Sequence, residues 1–163
     1  MKSLDQITQL VGTKSLKNLN YELQNADYEG CTFQIGETTF RSRLAKLTPK
    51  KKGYFVAFWE KDANNQNIAF QLNNSPDKLI IVIDDDQQKG QFIIPKDELR
   101  KRHVLTDTNK VGKMAMRVYP SWIKDLNSSA QKTQAWQCQY FVDVKDDDLT
   151  EKNKCTIFSK IKW

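Results

Sequence analysis

Residues 31–61, CTFQIGETTFRSRLAKLTPKKKGYFVAFWEK, decide how the chain is read. CTFQI (31–35) and TFRSRLAKL (39–47) are short runs rich in β-branched and aromatic residues. The GET triplet at 36–38 between them completes the pattern of a β-hairpin. TPKKKG (48–53), basic and carrying a proline, then separates the second run from YFVAFWEK (54–61). In that last run Phe55, Ala57 and Trp59 alternate with Tyr54, Val56 and Phe58, so both faces are apolar. Apolarity on both faces predicts a central strand covered on both sides.

Outward from this stretch the strands continue. KLIIVID (78–84) and QFIIP (91–95) flank the loop DDQQKG and predict a second hairpin. IAFQL (68–72) reads as a short strand, and MAMRVY (114–119) as another that ends at Pro120, which has no N–H to donate to a ladder. Helical spacing appears in three places. Residues 3–24 predict two short helices: Ser3 caps the first, Leu4, Ile7, Leu10 and Val11 share its face, and Leu16, Leu19 and Leu23 resume the spacing after Gly12 and Thr13. KDELRKRH (96–103) predicts a short charged helix. A third runs from a cap at Asn127 or Ser128 to about Val142, with Ala130, Thr133, Trp136 or Gln137, and Tyr140 along one line. Residues 143–153 read as a charged linker, and CTIFSKIKW (155–163) as a late strand. The expected fold is α+β: a single domain over 1–163, with a mostly antiparallel or mixed sheet of about six strands flanked by N-terminal helices and a C-terminal helix.

With 163 residues, 39% hydrophobic and 28% charged, the composition is that of one globular domain. No apolar run approaches a membrane span, and the N-terminus lacks the apolar core of a secretion signal. Cys31, Cys138 and Cys155 are odd in number, far apart and without CxxC spacing. That pattern argues against a disulfide framework or a structural metal site, so no cofactor is expected and the reducing cytoplasm is the expected compartment.

The net charge of +6 leans toward a polyanionic partner, and its distribution leans further. Between Arg41 and Trp59 stand Arg41, Arg43, Lys46, Lys50, Lys51 and Lys52, with no acid, while acids gather at Asp84–Asp86 and Asp143–Asp148. Thr48 adds a hydroxyl beside the lysines, and period 2 puts Arg41 and Arg43 on one strand face, where two guanidiniums can follow a phosphate backbone. A second stretch, Lys110 to Phe141, threads Lys110, Lys113, Arg117, Lys124 and Lys132 among Tyr119, Trp122, Trp136 and Tyr140, with Asp125 as its only acid. Rings that stack and cations that neutralise phosphate make a nucleic-acid face. The same residues also suit a core strand and helix with snorkelling lysines. Arg117 sits in an otherwise apolar strand and so needs a partner or a ligand. Gln131 and Gln134 lie at i and i+3, able to hydrogen-bond phosphates or base edges, and Lys132 lies one turn before Trp136. The competing readings are a solvated lysine turn and core packing of Trp136.

Enzymatic alternatives find less to stand on. A metal-dependent nuclease would use acids on neighbouring strands with a lysine. The one acid-x-lysine triplet is Asp143-Val144-Lys145, placed after the last helix, and Asp84–Asp86 fall in a hairpin loop. His103 is the only histidine and has no carboxylate at catalytic spacing. Neither GxGxxG nor GxxxxGK[ST] occurs. No catalytic residues and no metal ligands are expected; a protein-interaction module is the remaining class.

FRSRLAKLTPKKKGYFVAFWEK (40–61) and GQFIIPKDEL, GKMAMRVYPSW and AQKTQAWQCQYF within 90–141 resemble the MepB family. These are small bacterial proteins whose founding member is encoded beside a multidrug efflux pump and its repressor. The AKxTPKKxGxFVxFW, GQFxxPK and QKTQxWQxxYF motifs occur in family order, and the resemblance spans roughly residues 30–144. It brings no catalytic activity with it and implies nucleic-acid binding, to DNA or RNA; a role in drug-resistance regulation would suit the interaction-module reading.

Overall fold

The computed structural model describes residues 1–12 and 15–144. The late strand expected at 155–163, together with Cys155 and Lys145, lies outside the described residues. Helix α1 (Lys2–Val11) forms where Leu4, Ile7 and Leu10 share one face, and that face is buried. Ser3 is not its cap. The N-cap is Met1, without a side-chain bond, and the buried Ser3 donates its N–H and its Oγ–H to Glu29 Oε1 at 2.9 and 2.8 Å.

The second N-terminal helix is replaced by strand β1 (Lys17–Tyr21) and a short 3-10 segment over Leu23–Tyr28. Leu19 is 41% exposed and Leu23 81%, so their helical spacing marks no buried face. Pairing with the edge of β2 (Cys31–Ile35) supplies ladder hydrogen bonds that a helix here would have to forgo, and tertiary context wins over local preference.

Next come β3 (Thr38–Leu44), β4 (Lys46–Leu47), β5 (Tyr54–Ala57), β6 (Glu60–Lys61), β7 (Asn67–Ile68), β8 (Lys78–Asp84) and β9 (Lys89–Pro95). Helix α2 (Lys96–Lys101), β10 (Ala115–Val118), helix α3 (Ser128–Gln137) and β11 (Phe141–Val144) complete the described chain. Several expected strands change. TFRSRLAKL divides at Ala45 into β3, which pairs with β2, and β4, which pairs with β5. YFVAFWEK breaks after Ala57 into β5 and β6, and IAFQL keeps only Ile68 in a strand while Ala69 and Phe70 are buried. The C-terminal helix stops at Gln137, and the chain returns as β11 against β9, with Phe141 opposite Phe92. Gly90 makes that return possible, because a Cβ there would lie 2.3 Å from the Phe141 ring.

The large sheet has the order β1-β2-β3-β8-β9-β11, and within it only β3 and β8 run parallel. Period 2 divides its side chains between two cores. Leu79, Ile81 and Ile83, with Phe92 and Ile94, face a second sheet ordered β10-β5-β4 through Tyr54, Val56, Phe58 and Val118. Ile80, Val82, Ile93, Phe33 and Phe40 face the opposite way and receive Leu4, Ile7 and Leu10 of α1. The large sheet is thus a middle layer. YFVAFWEK does hold a central strand, but of the small outer sheet.

Helix α3 closes the open edge of that small sheet. Asn127 Oδ1 caps it by accepting the Ala130 N–H at 2.9 Å. At its far end the fully buried Gln137 accepts the Tyr119 N–H on Oε1 and donates Nε2–H to the Arg117 carbonyl, both at 2.9 Å.

Candidate nucleic-acid interface

Because Tyr54, Val56 and Val118 point into the core, their strand neighbours point out of the small sheet. The register sets Lys46 of β4 opposite Phe55 of β5, and Phe55 opposite Arg117 of β10. Arg117 Cζ lies 5.9 Å from the Phe55 ring centroid, and Lys46 Nζ lies 4.7 Å from that of Tyr28. Tyr28 and Phe55 meet edge to face at 6.1 Å. The outer face therefore carries a cross-strand row of cations and half-buried rings.

The 48–53 loop is attached to this row. Arg117 donates Nη1–H to the Lys52 carbonyl at 3.0 Å and Nη2–H to Thr48 Oγ1 at 2.8 Å. This answers the question the sequence posed about Arg117: its partners are the loop's own oxygens. Gly53, at φ +81°, lets the Tyr119 ring lie against the loop, since a Cβ there would stand 2.7 Å from the ring. Lys52 Nζ donates to the carbonyls of Lys124 and Asp125 at 3.0 and 2.9 Å, tying the loop to the segment before α3. Lys50 and Lys51 are exposed and have no side-chain partner among the described residues. Lys46, Thr48, Lys50, Lys51, Lys52, Arg117 and Tyr119 are brought together here.

From Arg117 and Tyr119 the surface dips into a concavity of about 380 Å³ along β10, completed by Arg102, Lys113, Thr133 and Trp136. Arg102 Cζ stands 5.0 Å from the Trp136 ring centroid, and its Nε donates to Glu98 Oε1 at 2.9 Å. Burial pushes the Glu98 carboxyl upward, but hydrogen bonds from Arg102 and Tyr140 outweigh it and hold the group below its usual range. Arg102 was missed as a site residue. The Glu98–Arg102 i,i+4 spacing within KDELRKRH was visible, but nothing in the sequence placed α2 beside Trp136.

Other candidates go elsewhere. Arg41 and Arg43 do share a face, and that face is turned inward. Arg43 is fully buried, with Nη1 on Glu22 Oε1 and the Ser42 carbonyl, both at 2.9 Å, and Nη2 on Asn25 Oδ1 at 2.7 Å. Arg41 Nε donates to the same Glu22 oxygen at 2.9 Å. Gln134 spends both amide hydrogens on the carbonyls of Pro120 and Ile123, and Gln131 donates to the Leu126 carbonyl. Trp122 packs edge-on against Phe141 at 5.4 Å. Lys132 is exposed on α3.

Of the acids in the nuclease alternative, Asp84–Asp86 are occupied locally, while Asp143 is exposed on β11. Asp85 accepts the hydroxyl of Tyr54 and the Gln88 N–H, Asp84 accepts the Asp86 N–H, and Asp86 faces Lys2. Burial, reinforced by Asp85, pushes Tyr54 up to about 12. Among the described residues no three His, Cys, Asp or Glu side chains stand together as a metal site would require. Cys31 and Cys138 are free thiols, the former buried against Ser42 Oγ at 2.9 Å. No described helix is long and apolar enough to cross a membrane.

The pattern of the MepB-like family matches residues 22–143, a span that includes the 48–53 loop, β10 and α3 but not α1. No curated protein matches the chain. Among solved structures, the crystal structure of MepB is similar, with a TM-score of 0.81 and 41% identity over 90% of this chain and 99% of that one.

Proposed function

The chain belongs to the MepB-like family, and from that premise we propose that it binds nucleic acid by its phosphate backbone, without reading sequence and without catalysis. The observation that carries this reading is the Lys46–Phe55–Arg117 row, with exposed Lys50 and Lys51 at its margin. Cations at this spacing displace counterions from a phosphate chain, and that release supplies most of the affinity of non-specific binding. Arg117 keeps further N–H donors beyond the two it gives the loop. The adjacent concavity offers Trp136, with Arg102 over its ring, as a place for a base or sugar. Sequence discrimination needs free donors and acceptors aimed at base edges. The glutamines of this region are engaged within the protein: Gln134 and Gln137 at the β10–α3 junction, Gln131 at the helix start.

The test is fluorescence anisotropy with labelled duplex DNA, single-stranded DNA and RNA across a salt series. Affinity should fall steeply with salt and vary little with base composition. Replacing Lys50 and Lys51 by glutamine should lower the log–log salt slope by about 2, near one unit per lost phosphate contact. A folded double variant with unchanged slope and affinity would remove the loop from the interface.

A further inference from the structure

The cluster around Glu22 has an unbalanced charge. Arg41 and Arg43 both bond to one oxygen of one carboxylate, Glu22 Oε1. Burial pushes that carboxyl upward, but the pull of Arg43 and Arg41 prevails and keeps it below the usual range, so it is ionised. Two guanidinium charges against one carboxylate leave an excess of one positive charge, in a place where Arg43 is fully buried and the Arg41 side chain is 11% exposed. Buried charge without a counter-charge is costly, so such an excess favours an anion nearby.

The two arginines differ in what they have left to give. Arg43 is committed to Glu22, Ser42 and Asn25. Arg41 commits only Nε; its guanidinium lies 3.5 Å over the Phe70 ring centroid, and its two amino groups have no partner among the described residues. Phe70 beneath and Glu22 at Nε fix the plane of the fork. It lines a groove of about 400 Å³ whose floor is the polar β2–β3 face, with Thr32 and Gln34, and whose wall is Asn74 and Ser75. The Thr32 hydroxyl and the Asn74 side-chain amide likewise have no partner among the described residues. Asp77 stands beside this groove, but it accepts the N–H and Oγ–H of Thr39, both at 3.0 Å, and Lys96 and Lys78 offset its charge.

We propose that this groove is a binding site for an oxyanion, a phosphate or carboxylate group carried by a small polar molecule. The amino groups of Arg41 would donate to two of its oxygens, with Thr32 and Asn74 as further donors. A planar guanidinium held by a ring on one face and a carboxylate at Nε is suited to bidentate recognition of either group. The groove is larger than a lone anion and within the usual size of small-molecule sites, so it has room for the body of a ligand. The site lies on a different sheet from the Lys46–Phe55–Arg117 row and does not rest on the nucleic-acid reading.

The test is NMR titration of the 15N-labelled chain with inorganic phosphate, acetate, a nucleoside monophosphate and the matching nucleoside. Saturable shifts are expected at Thr32, Gln34, Arg41 and Asn74. The phosphate and acetate arms identify the preferred oxyanion, and a monophosphate that binds better than phosphate shows the groove holding the rest of the ligand. Arg41→Gln should weaken binding at least tenfold while keeping the fold, because it leaves Glu22 and Arg43 one to one. Asn74→Asp, which adds a negative charge on the groove wall without touching the cluster, should also weaken it. Neither variant should change the salt slope for oligonucleotides. Absence of saturable shifts with all four compounds, shifts confined to Lys50 and Lys51, or unchanged affinity in both variants would overturn the proposal.

Discussion

Glu22 is the residue on which two arginines depend, and the consequences of removing its charge are unequal to those of removing theirs. Glu22→Gln would leave the guanidiniums of Arg41 and Arg43 facing each other without a carboxylate. Breaking a buried pair in this way costs about 3–5 kcal/mol, measurable by urea denaturation at neutral pH. Arg41→Gln should cost clearly less, because the remaining pair is balanced. The same carboxylate predicts an acid dependence. Its folded-state pKa lies below the ordinary value of 4.5, so its contribution is complete above that value and is lost as pH falls through the depressed folded value. The stability gap between the wild-type chain and Glu22→Gln should therefore narrow on acidification through that window and not at higher pH.

Among the elements, the 48–53 loop separates charge from architecture. The side chains of Lys50 and Lys51 have no polar partner among the described residues, so replacing them should leave the melting temperature where it is. Gly53→Ala should do the reverse. A positive φ and a Tyr119 ring 2.7 Å from the new Cβ make it destabilising by more than about 1 kcal/mol by thermal denaturation, with affinity lost only as far as the loop moves. The elements also show what the sequence could and could not convey. The 31–44 and 78–95 hairpins were readable because alternation, turn residues and core demand all agree there; that 46–47 cross to the small sheet was not. Leu16, Leu19 and Leu23 have helical spacing, yet Leu19 and Leu23 are exposed and the segment serves as an edge strand. Phe141 looked like the end of a helix because its partners, Phe92 and Gly90, are far away in sequence. For the site, Lys46 and Lys50–Lys52, with the Thr48 hydroxyl beside them, were visible as one basic stretch and Arg117 as a cation needing a partner, but not that the two meet. That Arg43 is buried could not be seen, since strand period places residues on a face but does not say which face is covered, and the covering groups, Glu22 and Asn25, lie at the end of a stretch with helical spacing.

Across the whole molecule, the middle sheet depends on both of its neighbours. The family match begins at residue 22, yet α1 covers Phe33, Phe40, Ile80, Val82 and Ile93 with Leu4, Ile7 and Leu10. Each of those three side chains is worth roughly 1.5–3 kcal/mol when fully buried, a large share of an ordinary domain's stability. A chain starting at residue 15 should bind an apolar dye and lose its cooperative unfolding transition; a cooperative melt within a few degrees of the full chain would contradict this. Gln137 has a consequence beyond the single molecule. A strand at the end of a sheet normally displays a row of backbone groups on which another chain can continue the ladder. Here the Arg117 carbonyl and the Tyr119 N–H are already taken by one side-chain amide, so a second molecule meets an interrupted border. Gln137→Ala would reopen it, and the altered chain should form concentration-dependent, thioflavin-positive assemblies under conditions in which the unaltered chain stays monodisperse.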